Sequence, residues 1–199
     1  MSTKSTELLN LARAQVVRAR DLDELRLPRR MLGELVARGE LLRTGRGLYV
    51  ASDFDLTQNH SLAEAAKRWP QSVVCLLSAL QFHELSLELP SEIWLAFERG
   101  GSLPRAKDMQ LRTFQMSDDT FNEGIETHLI EGVSVRIYSA AKTVADCFKF
   151  RSQVSTNVAY EALKNAWTQR KATSSELVHF AKLCRVYNIM RPYLETLSL

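Results

Sequence analysis

Nine of the ten basic residues among the first fifty positions are arginine. Guanidinium is a better bidentate donor to guanine edges and to phosphate than ammonium, so this choice points towards nucleic acid. Arg26, Arg29 and Arg30 cluster around Pro28; Arg43 precedes a glycine-rich turn, Thr44-Gly45-Arg46-Gly47, that carries Arg46 at its tip. An arginine pair entering a helix can reach guanine edges or flanking phosphates, and a basic turn can reach phosphate or the minor groove.

Groups that could carry catalysis are sparse. Ser139 and Lys142 stand at the Ser-x-x-Lys spacing of penicillin-recognising enzymes, but the companion Ser-Asp-Asn and Lys-Thr-Gly segments are missing. A helix-capping serine explains Ser139 fully. Gly101-Ser102 follows an apolar run, as in the turn that nucleotidyltransferases place before two Mg²⁺-holding carboxylates on the next strand. Asp108 lacks a second carboxylate at that spacing, and Asp118 and Asp119 are adjacent, so on a strand they would point to opposite faces. His60, His83, His128 and His179 have no spaced metal or triad partners and read as surface or satisfied core residues. Cys75, Cys147 and Cys184 are far apart and odd in number, which suits buried free thiols in a reducing compartment. No catalytic residue, metal or cofactor is expected.

The elements that must present the arginines follow from periodicity. Leu8, Leu9, Ala12 and Val16 recur at helical spacing and predict a first helix over roughly residues 4–18. A short second helix is expected around Ala19–Leu25, with Asp21, Asp23 and Glu24 where the helix dipole favours acid. Pro28 suits the first turn of a third helix, which Gly39 ends as a left-handed cap. On a helical wheel Met31, Leu32, Leu35 and Val36 fill one arc of roughly 140° and face the core. Arg29, Arg30, Gly33, Glu34 and Ala37 fill the opposite arc, with the two smallest side chains at its centre. Glycine in a helix interior costs about 1 kcal/mol relative to alanine. A helix that presses into a major groove has a use for it, because small residues let the backbone approach the bases. Leu41-Leu42-Arg43 and Leu48-Tyr49-Val50 then predict a β-hairpin with a basic apex, completing a winged helix–turn–helix that binds double-stranded DNA. The alternative is a winged helix used for protein contacts, with its arginines as solvated charge.

Beyond a polar linker at Asp53–Gln58, a helix is expected over Leu62–Trp69 and an apolar stretch from Val73 passes into another. Ile93, Leu95 and Phe97 alternate with Trp94 and Ala96, which predicts a strand buried on both faces. Leu111–Met116 is another strand, and Ile125–Ile130 and Val133–Tyr138 form a hairpin turning at Glu131-Gly132. From Ser139 the chain reads as helices, one capped by Ser139 with Lys142 and Asp146 paired at i,i+4, another opened by a Thr173–Glu176 capping box. The fold class is α+β: a winged helix over residues 1–52, then a small mixed sheet packed with helices over 58–199.

The net charge of +3 is unevenly spread. Residues 1–50 carry +4, residues 51–140 carry −6 and residues 141–199 carry +5, so at least two surfaces have different partners. No apolar run approaches the roughly 18 residues of a membrane span, and the N-terminus lacks a secretory signal, so a cytoplasmic location is expected.

Leu27-Pro28-Arg29-Arg30, Ala37-Arg38-Gly39-Glu40-Leu41 and Gly45-Arg46-Gly47-Leu48-Tyr49 resemble the N-terminal domain of AbiEi-type antitoxins. Leu77–Leu85, Ile93–Phe97 and Thr143–Arg151, with its Asp146-Cys147-Phe148-Lys149-Phe150-Arg151 helix, agree in family order. The resemblance implies a non-enzymatic antitoxin of a bacterial type IV toxin–antitoxin or abortive-infection system. The N-terminal domain would repress its own operon and the C-terminal domain would counteract a nucleotidyltransferase toxin, with or without direct contact. The family's DNA-contacting helix and wing carry over onto Arg29, Arg30, Gly33, Arg43 and Arg46. One winged helix gives a small footprint, so repression is compatible with a homodimer on operator DNA. Two alternatives stay open: a ligand- or protein-responsive regulator without a toxin, and a nucleotidyltransferase-like enzyme fused to a DNA-binding domain.

Overall fold

The computed structural model describes residues 3–104 and 106–197. They divide into two compact units, one running up to Pro70 together with His128–Val135, the other made of Gln71–Thr127 and Arg136 onward.

The first unit contains α1 (Thr3–Ala14), β1 (Val17–Arg18), α2 (Asp21–Glu24), α3 (Arg30–Ala37), β2 (Leu41–Gly45), β3 (Leu48–Ala51) and α4 (His60–Arg68). The first helix stops at Ala14, short of the expected residue 18. Val17 and Arg18 instead pair antiparallel with Tyr49 and Leu48, giving a sheet ordered β1-β3-β2. The β-branched pair Val16-Val17 favours this extended state, and both side chains are buried in it. The second helix shrinks to a single turn, and Asp21 Oδ2 accepts the Arg18 amide at 2.9 Å.

Helix α3 buries Met31, Leu32 and Leu35 against Leu8, Leu9 and Leu22. Val36 departs from the expected core arc and is 37% exposed, because it lies at the margin of the stripe where the helix edge meets solvent. The stop at Gly39 is a Schellman cap: the Glu40 amide bonds to Leu35 O and the Gly39 amide to Val36 O, each at 3.0 Å. Gly39 has φ +71°, a conformation that a side chain disfavours. The cap turns the chain directly into the β2–β3 hairpin, whose register runs Leu41↔Ala51, Arg43↔Tyr49 and Gly45↔Leu48 with an irregularity between Arg43 and Gly45.

The second unit begins with β4 (Val73–Val74), α5 (Leu76–Phe82), β5 (Ile93–Glu98), β6 (Leu111–Met116) and α6 (Asp118–Asn122). Strands β7 (Ile125–Ile130) and β8 (Val133–Tyr138), whose residues 128–135 belong to the first unit, lead to α7 (Ala140–Lys149), α8 (Arg151–Val154), α9 (Thr156–Thr168), α10 (Ser174–Leu183) and α11 (Tyr187–Leu197). Five strands among the described residues pair in the order β6-β5-β4-β8-β7. The sheet is mixed: β4 is antiparallel to β5 and parallel to β8, and β5 is parallel to β6. Strand β5 is buried on both faces from Trp94 to Phe97, as its unbroken apolar run predicts. The β7–β8 turn falls on Glu131 and Gly132, both at positive φ (+49° and +73°), the pattern of a two-residue type I′ hairpin.

Ala140–Phe148 of α7 are buried throughout, which makes this helix the centre of the second core. Ser139 caps it, its Oγ accepting the Lys142 amide at 3.3 Å, and the Thr173–Glu176 capping box opens α10. Asp118 and Asp119 start α6 rather than lying on a strand. No helix among the described residues is long and apolar enough to cross a membrane.

Candidate nucleic-acid interface

Along α3 the buried stripe leaves Arg30, Gly33, Glu34 and Ala37 exposed, together with Arg29 just before the helix. Gly33 has an ordinary helical backbone, and a Cβ built there meets no atom within 4 Å. Neither backbone strain nor packing within the chain therefore calls for glycine at this point of the helix. Arg30 Nε stands 3.9 Å from Glu34 Oε1, one turn on, a loose pair in which both side chains stay largely in solvent.

Arg29 is engaged more firmly. Its Nε donates to Asp23 Oδ1 at 3.0 Å and its Nη2 donates to Asp23 Oδ2, a bidentate pair across the turn between α2 and α3. The hydrogen bonds from Arg29 hold the Asp23 carboxyl below the usual carboxylate range. The pair fixes the guanidinium plane in the absence of a ligand, and Arg29 must exchange this partner, or share it, to meet a phosphate or base. Arg26, in the same turn, is exposed with φ +54°.

In the hairpin, Arg43 Nε donates to Gly45 O at 3.2 Å, which folds this side chain along its own strand. Arg46 is exposed in the two-residue connection between β2 and β3. The seven sequence-derived candidates thus fall into three places: Arg26 and Arg29 at the α2–α3 turn, Arg30, Gly33 and Glu34 on the outward side of α3, and Arg43 and Arg46 on the hairpin.

Sequence reasoning passed over a set of polar residues behind the hairpin. His60 and Glu64 lie one turn apart on α4, and Glu131 lies at the β7–β8 turn. His60 Nδ1 is 2.6 Å from Glu131 Oε2, and its Nε2 is 3.4 Å from Glu64 Oε1. Glu131 Oε1 accepts from the Thr57 amide at 2.7 Å and from Thr57 Oγ1 at 2.8 Å. Glu64 Oε1 accepts from the Thr44 hydroxyl on β2. Side-chain exposure is 18% for His60, 10% for Glu64 and 2% for Glu131. The contact with Glu64 raises the His60 pKa to about 9, against the opposing effect of burial and with further help from Glu131. Burial alone would push Glu64 upward, but His60 and Thr44 outweigh it and its carboxyl is held low. The i,i+4 spacing of His60 and Glu64 was visible in the sequence; the distant Thr44, Thr57 and Glu131 were not.

The candidates for chemistry elsewhere are engaged structurally. Lys142 Nζ is fully buried, 2.5 Å from Asp146 Oδ2 and 4.1 Å from the centre of the Tyr138 ring. Asp146 Oδ1 accepts from the Cys184 thiol at 3.2 Å. All three cysteines are free and buried, as expected, and burial pushes Cys184 up to about 12. His83 Nε2 bonds Tyr138 O at 2.7 Å and His179 faces Glu123 at 3.3 Å. Among the described residues no three His, Cys, Asp or Glu side chains gather as a metal site.

Residues 7–52 match a family described as transcriptional regulator, AbiEi antitoxin. The resemblance read from the sequence is matched over that segment, which runs from within α1 through the hairpin. A comparison with curated proteins finds no match. Among solved structures, the crystal structure of the RV2827C protein from Mycobacterium tuberculosis is similar with a TM-score of 0.61 at 12% identity. The likeness covers 99% of this chain and 81% of that one, and at this identity it concerns the fold.

Proposed function

We propose that this protein is the antitoxin of a type IV toxin–antitoxin system. Residues 58–199 counteract a nucleotidyltransferase toxin, and the winged helix of residues 1–52 binds double-stranded operator DNA and represses the operon. The observation that carries the DNA-binding half is the outward side of α3. There Arg29 and Arg30 lead a helix face on which Gly33 stands in open space, with no reason inside the chain for its being glycine. A helix face that is small at its centre and guanidinium-rich at its N-terminal end suits entry into a major groove. Arg26, Arg29, Arg30, Gly33 and Glu34 meet the groove and its walls in this reading, and Arg43 and Arg46 meet phosphate beside it. Two copies on repeated or inverted half-sites supply the footprint that one winged helix lacks.

The two activities separate on the full-length chain. Arg29→Ala with Arg30→Ala should release the promoter from repression while still relieving toxicity when co-expressed with the nucleotidyltransferase encoded beside it. Loss of protection by this well-folded double variant would contradict the division of labour. Absence of any neighbouring nucleotidyltransferase reading frame would contradict the antitoxin role itself.

A further inference from the structure

We propose that His60, Glu64 and Glu131 are positioning residues that set the wing for DNA through Thr44, a role that rests on the operator-binding reading above. Thr44 lies between Arg43 and Gly45, where the β2–β3 register is irregular and the ladder constrains the strand least. Its hydroxyl is held by Glu64, and the same carboxylate lies against Gly45, where an added Cβ would stand 3.6 Å from Oε1. Glu64 in turn faces His60, His60 faces Glu131, and Glu131 accepts from both the amide and the hydroxyl of Thr57. Arg68, one turn further along α4, adds positive charge towards Glu64.

The far end of this chain of contacts is anchored by shape. A Cβ at Gly132 would overlap the Ala14 carbonyl oxygen and Gln15 Cβ, so the turn carrying Glu131 sits tightly against the end of α1. A cluster of two buried carboxylates and a histidine is a poor way to gain stability, because desolvation offsets the attraction and apolar replacements of equal volume often do as well. Such a cluster does fix directions: hydrogen bonds tie Glu64 to Thr44 and Glu131 to His60 and Thr57, and His60 Nε2, with no hydrogen-bond partner among the described residues, faces Glu64 by charge at 3.4 Å. The direction fixed here is that of the β2 segment between the wing's two arginines, Arg43 and Arg46.

The test uses full-length protein and a duplex of its own promoter. Thr44→Val keeps the β-branched shape and removes only the hydroxyl that Glu64 holds. In the free protein, amide exchange at residues 43–49 should accelerate by more than the accompanying fall of a few degrees in melting temperature accounts for. Promoter affinity should fall by on the order of five- to tenfold, a fraction of the roughly 10- to 150-fold worth of a whole hydrogen bond to a charged group, because the bond is lost in free and bound protein alike and only its positioning effect reaches the DNA. Thr44→Ser should restore both. In an Arg46→Ala background the Thr44→Val loss should largely vanish, because the contact being positioned is already gone. Unchanged exchange at the wing in Thr44→Val and in Glu131→Gln would overturn the inference, as would losses that simply add to that of Arg46→Ala. Wild-type protein that ignores its promoter would instead overturn the operator reading, and the exchange measurement would still decide whether the cluster holds the wing.

Discussion

Replacing Gly33 by alanine separates what the helix needs for itself from what its partner needs. In the free protein the new methyl group meets nothing within 4 Å, so no packing cost opposes it. Gly33 lies inside α3, bounded by Arg30 and Ala37, where alanine is favoured over glycine by about 1 kcal/mol. The variant should therefore be more stable by about that amount, a rise of about 4–8 °C in melting temperature if this unit melts as a small domain of 60–100 residues. Against DNA the sign reverses. A methyl group at the centre of the groove-facing side must be accommodated in a packed interface, where overpacking costs about 1–3 kcal/mol. Promoter affinity should then drop by on the order of 5- to 100-fold. Thermal melting of free protein and fluorescence anisotropy with a promoter duplex measure the two effects on one sample. A variant that melts higher and binds promoter as well as wild type would remove Gly33 from the interface. One that melts lower would contradict the account of α3 as an unencumbered helix.

Asp23→Asn should release Arg29 from its bidentate partner; promoter binding should tighten, and its salt dependence should steepen by up to about one unit of slope for one further phosphate contact, read from titrations at several salt concentrations. Weaker binding in this variant would mean that Asp23 orients Arg29 for the base rather than competing with it. The His60 pKa of about 9 lies above the ordinary 6.5, so protonated His60 favours the folded state. That contribution is complete below about pH 6.5 and disappears as pH rises through about 9, so denaturant unfolding followed from pH 6 to 10 should show an alkaline decline that His60→Gln flattens. In the second unit, Lys142→Met should cost about 3–5 kcal/mol in denaturant unfolding by leaving Asp146 buried without its ion-pair partner, while Lys142→Met with Asp146→Leu should recover most of it.

Much of the first unit was legible because local signals agreed with one another. Pro28 before α3, Gly39 after it and the apolar stripe of Met31, Leu32 and Leu35 all specify the same helix. Val36 escaped because a wheel gives directions and not the width of the surface that covers them. Strand β1 escaped because Val16 and Val17 continue a helical apolar pattern, and only pairing with Tyr49 and Leu48, far along the chain, draws them into a sheet. Strand β4 is two residues long, too short for any period, and exists because β5 and β8 flank it. At the candidate interface, the exposed arginines and Gly33 could be read from composition and periodicity. Two features could not: the capture of Arg29 by Asp23 across a turn, and the cluster in which Glu64 takes up Thr44 from 20 residues away and Glu131 takes up His60 and Thr57 from 71 and 74 residues away. Those are products of tertiary folding, with no local pattern to announce them.

The central claim is that the exposed side of α3 reads operator DNA. It is met most directly by measuring the affinity of full-length wild-type protein, and of Arg29→Ala/Arg30→Ala, for a duplex of its own promoter and for a scrambled duplex of equal length, all at one physiological salt concentration. The account predicts that wild type prefers the promoter by on the order of a thousandfold and that the double variant loses that preference while melting as wild type does. Equal wild-type affinity for the two duplexes, or a double variant that keeps its preference, would contradict it.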